Sequence, residues 1–295
     1  MKILLTGANG YIGKRLLPKL IKSGYFVVCA VRDMSKFSVP EDFKLKIEVI
    51  EIDTLKPESL NNIPKDIDGA YYLVHSMTSS SKKFDEMEAE SAENFKNAIS
   101  KTNVKHLIYL SRIVNDKKLS KHLKSRKNVE DILSSGSYNF TTLRAGIIIG
   151  SGSASFEIIR DLVEKLPVML TPKWVLTKCQ PIAIDDVLQY LSLALFEEQT
   201  YNTSFDIGGP DVLTYKEMML RFAKIRKSRL VIFTIPIMTP RLSSYWLYFV
   251  TSTNYRLAVN LVNSMKVEVI CQPNSFSQLL KIEQMSYEDA IMKAF

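Results

Sequence analysis

Three glycines at a spacing of three, Gly7, Gly10 and Gly13, follow the apolar run Ile3 to Leu5 and lead into a helical pattern that begins near Tyr11. Residues of this kind in this order make a turn that can hold a pyrophosphate. Glycine lets the backbone bend sharply and approach an anion closely, the first turn of the following helix offers unpaired N–H groups, and the helix dipole favours negative charge at that end. The stretch Thr6-Gly7-Ala8-Asn9-Gly10-Tyr11-Ile12-Gly13 is read as a dinucleotide turn, with cofactor contacts expected from Thr6, Gly7, Asn9, Gly10, Tyr11, Ile12 and Gly13. Its spacing is GxxGxxG, which departs from the GxGxxG of typical dinucleotide-binding dehydrogenases.

The next chemically informative triplet is Val31-Arg32-Asp33, at the end of a second apolar run. An acid at that place hydrogen-bonds the adenine ribose hydroxyls, whereas an arginine accommodates a 2′-phosphate. Arg32 comes first and Lys36 lies close behind, so NADP is the expected cofactor. NAD is the alternative if Arg32 only pairs with Asp33 or Asp53 on the surface. Asp53, at the end of a third run, either accepts a hydrogen bond from the adenine amino group or caps the helical segment that starts near Pro57. Gly150 to Phe156 forms a second flexible, hydroxyl-rich loop that either grips a polar group of a substrate or caps a helix.

Positioning these residues requires alternating strands and helices. The patterns predict strands over 2–6, 25–31, 47–52, 69–74, 106–110 and 140–149, and helices over 11–23, 85–100, 120–133 and 155–166. Short apolar strands alternating with helices imply an α/β, Rossmann-like, doubly wound parallel sheet. Residues 1–165 are expected to form the dinucleotide-binding domain, with further strands and helices from about 180 to 220, and most of 166–295 a smaller C-terminal substrate lobe. Prolines from Pro167 onward punctuate that second region, and a last helix is expected around Ser286 to Ala294.

Composition narrows the function classes. The 295 residues are 46% hydrophobic, enough for a large buried core. The three cysteines are far apart and lack metal-binding spacing, so no metal site and a reduced, cytoplasmic setting are expected. No secretory leader or membrane-spanning run is expected, the most apolar later run, Leu230 to Met238, being interrupted by Pro236. A formal charge of +8 is mostly dispersed lysine, dense only between Lys117 and Lys127, and reads as a solvated helix face or an anion contact. The aromatic stretch Pro240 to Phe249 has too few basic neighbours for a nucleic-acid surface and suggests a covered pocket or an interface. A small-molecule substrate is expected and nucleic acid is not; homo-oligomers are left open.

These residues together resemble the short-chain dehydrogenase/reductase superfamily, in its extended and atypical branches. The resemblance rests on the TGxxGxxG turn, on Asp53, on Tyr71-Tyr72-Leu73-Val74-His75-Ser76, on Asn94, and on a fifth strand ending in Ser111. It continues through Leu143-Arg144-Ala145-Gly146 with Gly150, through Gln180 to Val187, and through Phe205-Asp206-Ile207-Gly208-Gly209. It implies that Val74, His75 and Ser76 line the cofactor. A bacterial branch of NAD(P)-binding proteins and sugar-epimerase-like proteins is similar over nearly the whole chain, including the HLxSR and GSGSASF stretches.

In that superfamily a Tyr-x-x-x-Lys pair transfers the proton and a serine polarises the substrate oxygen. Here the corresponding helix carries His122-Leu123-Lys124-Ser125-Arg126, with histidine and arginine on one face. Histidine can exchange a proton near neutral pH, and arginine can bind ribose or phosphate oxygens while its charge keeps the imidazole neutral. Ser111, His122 and Arg126 are therefore the catalytic candidates, against a strand-end turn for the serine and a surface role for the histidine. His106, just before a strand, reads as an edge residue. The expected activity is hydride transfer between NADP and a carbonyl or quinone-like substrate. Its alternatives are a non-catalytic NAD(P)-binding sensor or scaffold, and a nucleotide-sugar epimerase or dehydratase, which needs a tyrosine base not visible here.

Overall fold

The computed structural model of the chain describes residues 1–74, 84–113, 121–235 and 265–295; for residue 84 and residues 121–124 it describes the backbone. The first strands and helices fall where the apolar patterns place them: β1 (Lys2–Thr6), α1 (Tyr11–Lys22), β2 (Phe26–Val31), β3 (Ile47–Glu51), β4 (Gly69–Tyr72), α2 (Phe84–Ile99), β5 (His106–Arg112), α3 (Lys121–Ser134) and β6 (Asn139–Ala145). The strand expected over 140–149 divides into β6 and a two-residue β7 (Ile148–Ile149). Gly146, at the break, lies so close to the Gln180 carbonyl that an added Cβ would stand 3.0 Å from it.

There follow α4 (Ala154–Lys165), β8 (Val168–Pro172), β9 (Lys178–Cys179), β10 (Ile182–Ala183), α5 (Ile184–Ala194), β11 (Thr203–Ile207), β12 (Leu213–Thr214), α6 (Tyr215–Ile225), β13 (Val231–Ile235), α7 (Phe276–Leu279) and α8 (Tyr287–Lys293). The main sheet has the order β11-β6-β5-β4-β1-β2-β3. Every pairing within it is parallel. The chain reverses direction across the sheet between β1 and β4, and in such sheets the crevice beyond the strand C-termini at that point is where ligands bind.

Alternation along each strand divides the side chains between two apolar layers. Ile3, Leu5, Val27 and Cys29 pack with Leu16, Leu17 and Leu20 of α1 and with Val187, Leu188 and Leu191 of α5. Leu4, Val28, Ala70 and Tyr109 face the other way, onto Ala92, Phe95 and Ile99 of α2 and Val129 and Leu133 of α3. A third core joins Phe156, Ile159 and Leu162 of α4 to Trp174, Met218 and Phe222, and to Tyr287 and Ile291 of α8. α5 packs on the sheet and β11 joins it, as the 180–220 reading expects, while α4, expected within the dinucleotide domain, packs in the third core.

His106 sits inside the sheet, fully buried, because β5 lies between β4 and β6. That corrects the reading of it as an edge residue. Its Nδ1 accepts the Phe196 N–H at 3.0 Å, so its proton is on Nε2, 2.8 Å from Thr141 Oγ1. No helix among the described residues is long and apolar enough to cross a membrane.

Candidate functional site

A cavity of about 350 Å³ opens at the C-terminal ends of β1 to β5. Thr6, Gly7, Asn9, Gly10, Tyr11, Ile12 and Gly13 line it together with Arg32, Asp53 and Val74. His75 and Ser76 lie outside the described residues.

The glycine turn is built by close approach. Gly7 has φ +65, in the left-handed region, and an added Cβ would stand 2.8 Å from the Leu73 carbonyl oxygen. Gly13 packs the first turn of α1 back on the loop, where an added Cβ would come to 2.3 Å from the Gly7 oxygen. The Gly10 N–H closes the turn on the Gly7 carbonyl at 2.8 Å. Gly10 is also the N-cap of α1, and it brings no side-chain cap; the first turn carries no acid. The N–H end of the helix is thereby left facing the cavity without a carboxylate in front of it, as an anion site requires.

Thr6 contributes mainly by holding the crevice in shape. Its Oγ1 donates to the Tyr71 carbonyl at 2.8 Å and accepts the Leu73 N–H at 3.0 Å, fastening the end of β4 to the end of β1. Tyr11 stacks its ring under Arg15, whose guanidinium carbon lies 4.1 Å from the ring centroid. The Tyr11 hydroxyl is buried with no hydrogen-bond partner among the described residues, and burial raises its pKa.

At the far end of the cavity the two expected phosphate and ribose selectors separate. Asp33 caps a short 3-10 turn, accepting from Ser35 N at 3.0 Å and from Ser35 Oγ at 2.6 Å, and it pairs with Lys36 Nζ at 2.7 Å. The lysine bond, with help from Ser35, holds the Asp33 carboxyl down at about 2. Arg32 remains exposed on the cavity lining, joined to none of the other described residues by a hydrogen bond or ion pair. The surface pairing of Arg32 with Asp33 or Asp53 is therefore absent among the described residues, and Lys36 is spent on Asp33.

Asp53 lines the cavity, but the capping role considered for it belongs to Lys56, which precedes the short helix Pro57–Asn62 and makes no side-chain cap. Asp53 instead accepts the Leu55 N–H at 3.1 Å in an Asx turn. Ser59 Oγ approaches its N–H at 2.9 Å. The loop is pinned from α2: Ser91 Oγ donates to Thr54 Oγ1 at 2.6 Å, and Asn94 Nδ2 to the Thr54 carbonyl at 3.0 Å. Tyr72 Oη meets Ser91 Oγ at 2.8 Å, which ties the same loop to β4.

The catalytic candidates are arranged differently. Ser111 is buried in β5, in register with Arg144 of β6. Arg126 turns into the seam between α2 and α3 and pairs with Glu88 at 3.3 Å, with side chains only 14% and 5% exposed. Ser125 Oγ donates to the same carboxylate at 2.7 Å. Neither Ser111 nor Arg126 lines the cavity; Val74 stands between Arg126 and it, belonging to both linings. His122 lies in the first turn of α3, and its side chain is outside the described residues. So is most of the basic run from Lys117; of its described side chains, Arg126 pairs with Glu88 and Lys127 with Asp131.

Glu88 and Ser91 were invisible to motif reasoning. They sit on the stripe of α2 that also carries buried Ala92, Phe95 and Ile99, and the available signal was polar residues recurring at helical spacing on an otherwise apolar face. The later motif residues serve as braces. Arg144 forks onto Glu130 of α3, at 3.0 Å and 2.5 Å, and reaches Asp206 of β11 at 3.8 Å. Gln180 bridges the Gly209 carbonyl at 2.7 Å and the Cys271 N–H at 3.0 Å.

In the 150–156 loop, Ser153 occupies the N-cap of α4, yet its Oγ donates to the Ile148 carbonyl at 2.7 Å. Glu157 reaches back to the Gly152 N–H at 2.7 Å, before the helix begins, so α4 has no side-chain cap and the capping role considered for this loop is not made. The aromatic stretch from Pro240 to Phe249 lies outside the described residues.

Comparison with known proteins agrees with this geometry. A family profile for NAD(P)H-binding proteins matches residues 7–163. The chloroplastic divinyl chlorophyllide a 8-vinyl-reductase of Arabidopsis thaliana is 24% identical over 227 residues, which cover 71% of this chain and 54% of that protein. The chain spans about half the length of the curated relatives it matches. The fold is shared with the Citrobacter sp. triphenylmethane reductase complexed with NADP(H), at a TM-score of 0.80 and 13% identity over 100% of both chains. It is shared equally with the NADPH-dependent quinone oxidoreductase of Escherichia coli, at 0.78 and 16% over 98% of each. With more than half of its length matched by that profile and its glycine turn at the head of a parallel sheet, the chain belongs to the NAD(P)H-binding family.

Proposed function

We propose that the chain is an NADP-dependent reductase that passes hydride from the nicotinamide to a carbonyl or quinone-like substrate. The observation that carries the cofactor half of this reading is the division of labour between Arg32 and Asp33: the guanidinium is exposed on the cavity lining while the carboxylate is occupied by Lys36 and Ser35. A 2′-phosphate would meet an uncommitted cation there, and a free ribose diol would find no available acid at that position. The uncapped N-terminus of α1 and the space left by Gly7 and Gly13 fit a pyrophosphate against the backbone. Asp53, on a loop braced from α2, would face the adenine end.

NADPH supplies the hydride when bound. Thr6 keeps the crevice open by fixing β4 to β1, and Val74 walls the cavity on the side of α3. Ser111 and His122 are assigned to the substrate side, the serine as a hydroxyl donor and the histidine as the proton source. The substrate would lie against the lobe built from the third core. The names of the sequence relative and of two structural neighbours, all reductases or oxidoreductases, support the reaction class without selecting an acceptor.

Binding constants for NADPH and NADH, followed by oxidation of bound NADPH with a panel of quinones, aldehydes and keto-sugars, test both halves. Tighter binding of NADH, or retention of NAD in the purified protein, would overturn the assignment of Arg32. One observation favours a second reading, a cofactor-binding sensor without turnover: Arg126 is already paired with Glu88. Tight NADPH binding with no oxidation by any acceptor in the panel, and no effect of His122→Ala, selects it.

A further inference from the structure

A second cavity, of about 450 Å³, lies on the outer side of α1, between that helix, α5 and the end of α8. It shares no lining residue with the dinucleotide cavity. Its volume falls in the lower part of the roughly 300–1,000 Å³ range of small-molecule sites. We propose that this groove binds a small amphiphilic anion, an acidic group carried on an apolar body. The inference goes beyond the reductase reading and does not rest on it.

Charge and shape both point to that ligand class. Lys14, Arg15, Lys19 and Lys293 line the groove, against the single carboxylate of Asp185. Asp185 is engaged by Lys293 at 3.0 Å. Arg15 is held in place by the Ser151 carbonyl at 2.7 Å and the Tyr11 carbonyl at 3.2 Å, with both acceptors neutral, so its charge is not cancelled by them. Lys14 and Lys19 make no ion pair with any described residue. The lining is therefore three positive charges in excess, four cations against one acid. Its remaining wall is apolar, from Pro18, Ile184, Leu188 and Met285. An inorganic anion would leave that wall wet, and a neutral hydrophobe would leave the cations unanswered; a ligand with both parts satisfies both.

The position adds a reason for selectivity. Gly150 lets Ile184 close one wall of the groove, since an added Cβ at Gly150 would stand 2.5 Å from the Ile184 side chain. Arg15, 4.1 Å over the Tyr11 ring and bonded to the Ser151 carbonyl, is a cation held in place at one end of the groove. The two lysines are free to follow the acid group.

The test uses the full chain saturated with NADPH and two fluorescent probes, 8-anilinonaphthalene-1-sulfonate and its uncharged relative N-phenyl-1-naphthylamine. The expected result is sulfonate binding that NADPH does not displace, that weakens with salt, and that loses at least tenfold affinity in Lys14→Glu/Lys19→Glu while the neutral probe binds as before. Ala294→Trp, which fills the groove from the C-terminal side, should weaken both probes without changing NADPH affinity. Sulfonate binding unchanged in both variants, displacement by NADPH, or equal loss of both probes in the lysine variant would each overturn the proposal.

Discussion

Arg32, at the end of β2, and Arg126, in α3, are both arginines that the sequence offers to a ligand, and the fold treats them oppositely. Arg32 is exposed beside a cavity, with its neighbouring acid drawn off by Lys36. Arg126 is drawn inward to Glu88, in a seam that also takes up Ser125. The contrast extends to the surroundings: around the glycine turn the helix end is uncapped, whereas beside α2 the Tyr72, Ser91 and Thr54 hydroxyls form a closed chain. Groups left without internal partners at a strand end are available to a ligand. Groups that satisfy one another hold the walls apart for it.

The sharpest way to break this contrast is to remove Glu88. Glu88→Ala should cost about 3–5 kcal/mol of stability in urea unfolding, because it leaves a buried guanidinium without its carboxylate. NADPH affinity of the folded variant should change less than threefold. A tenfold loss of affinity with stability intact would place Arg126 among the ligand contacts instead.

His106, at the opposite end of β5 from Ser111, extends the committed region and gives it a pH signature. Burial holds its pKa down to about 4, below the ~6.5 of an unfolded histidine. The unfolded chain therefore gains a proton first as pH falls. Stability from this residue is complete above about pH 6.5 and is lost between there and about pH 4, by about 3 kcal/mol in all. Denaturant midpoints across that range should show the decline, and His106→Gln should flatten it.

At the open end, Gly13→Ala should reduce NADPH affinity at least 100-fold, since the added Cβ meets backbone at 2.3 Å and 2.8 Å and must push the helix off the loop. Calorimetric titration measures it. Arg32→Ala should have the smallest effect and the most selective one: about tenfold weaker NADPH, or ~1.4 kcal/mol, with NADH unchanged. Equal losses for both cofactors would mean that Arg32 shapes the loop and reads no phosphate.

The parts of this arrangement that could be read in the sequence are those whose cause is local. Gly7, Gly10 and Gly13 act through a few neighbouring peptide groups, and the alternation of apolar runs gave β1 to β6 within a few residues. Asp53 was correctly drawn to a loop at a strand end, but its capping role depended on where a 3-10 turn begins, a matter of a few residues. Glu88 meets Arg126 across 38 positions, and nothing in the spacing of either announces the other. The Asp33 pair with Lys36 is local too, three residues apart, a spacing at which opposite charges meet on one turn.

The position of β11 bears on how the chain is made. β6 ends at Ala145, and the strand that covers its outer edge does not begin until Thr203, after α4, the short strands and α5 have been added. At roughly 5–20 residues per second, a ribosome leaves that edge open for several seconds. Over much of the same interval the apolar side of α1 waits for Val187, Leu188 and Leu191. An open strand edge beside an uncovered apolar helix is the arrangement most prone to pair with another chain. For this protein, the dangerous moment falls between residues 145 and 203, with the dinucleotide turn already emerged and the sheet one strand short.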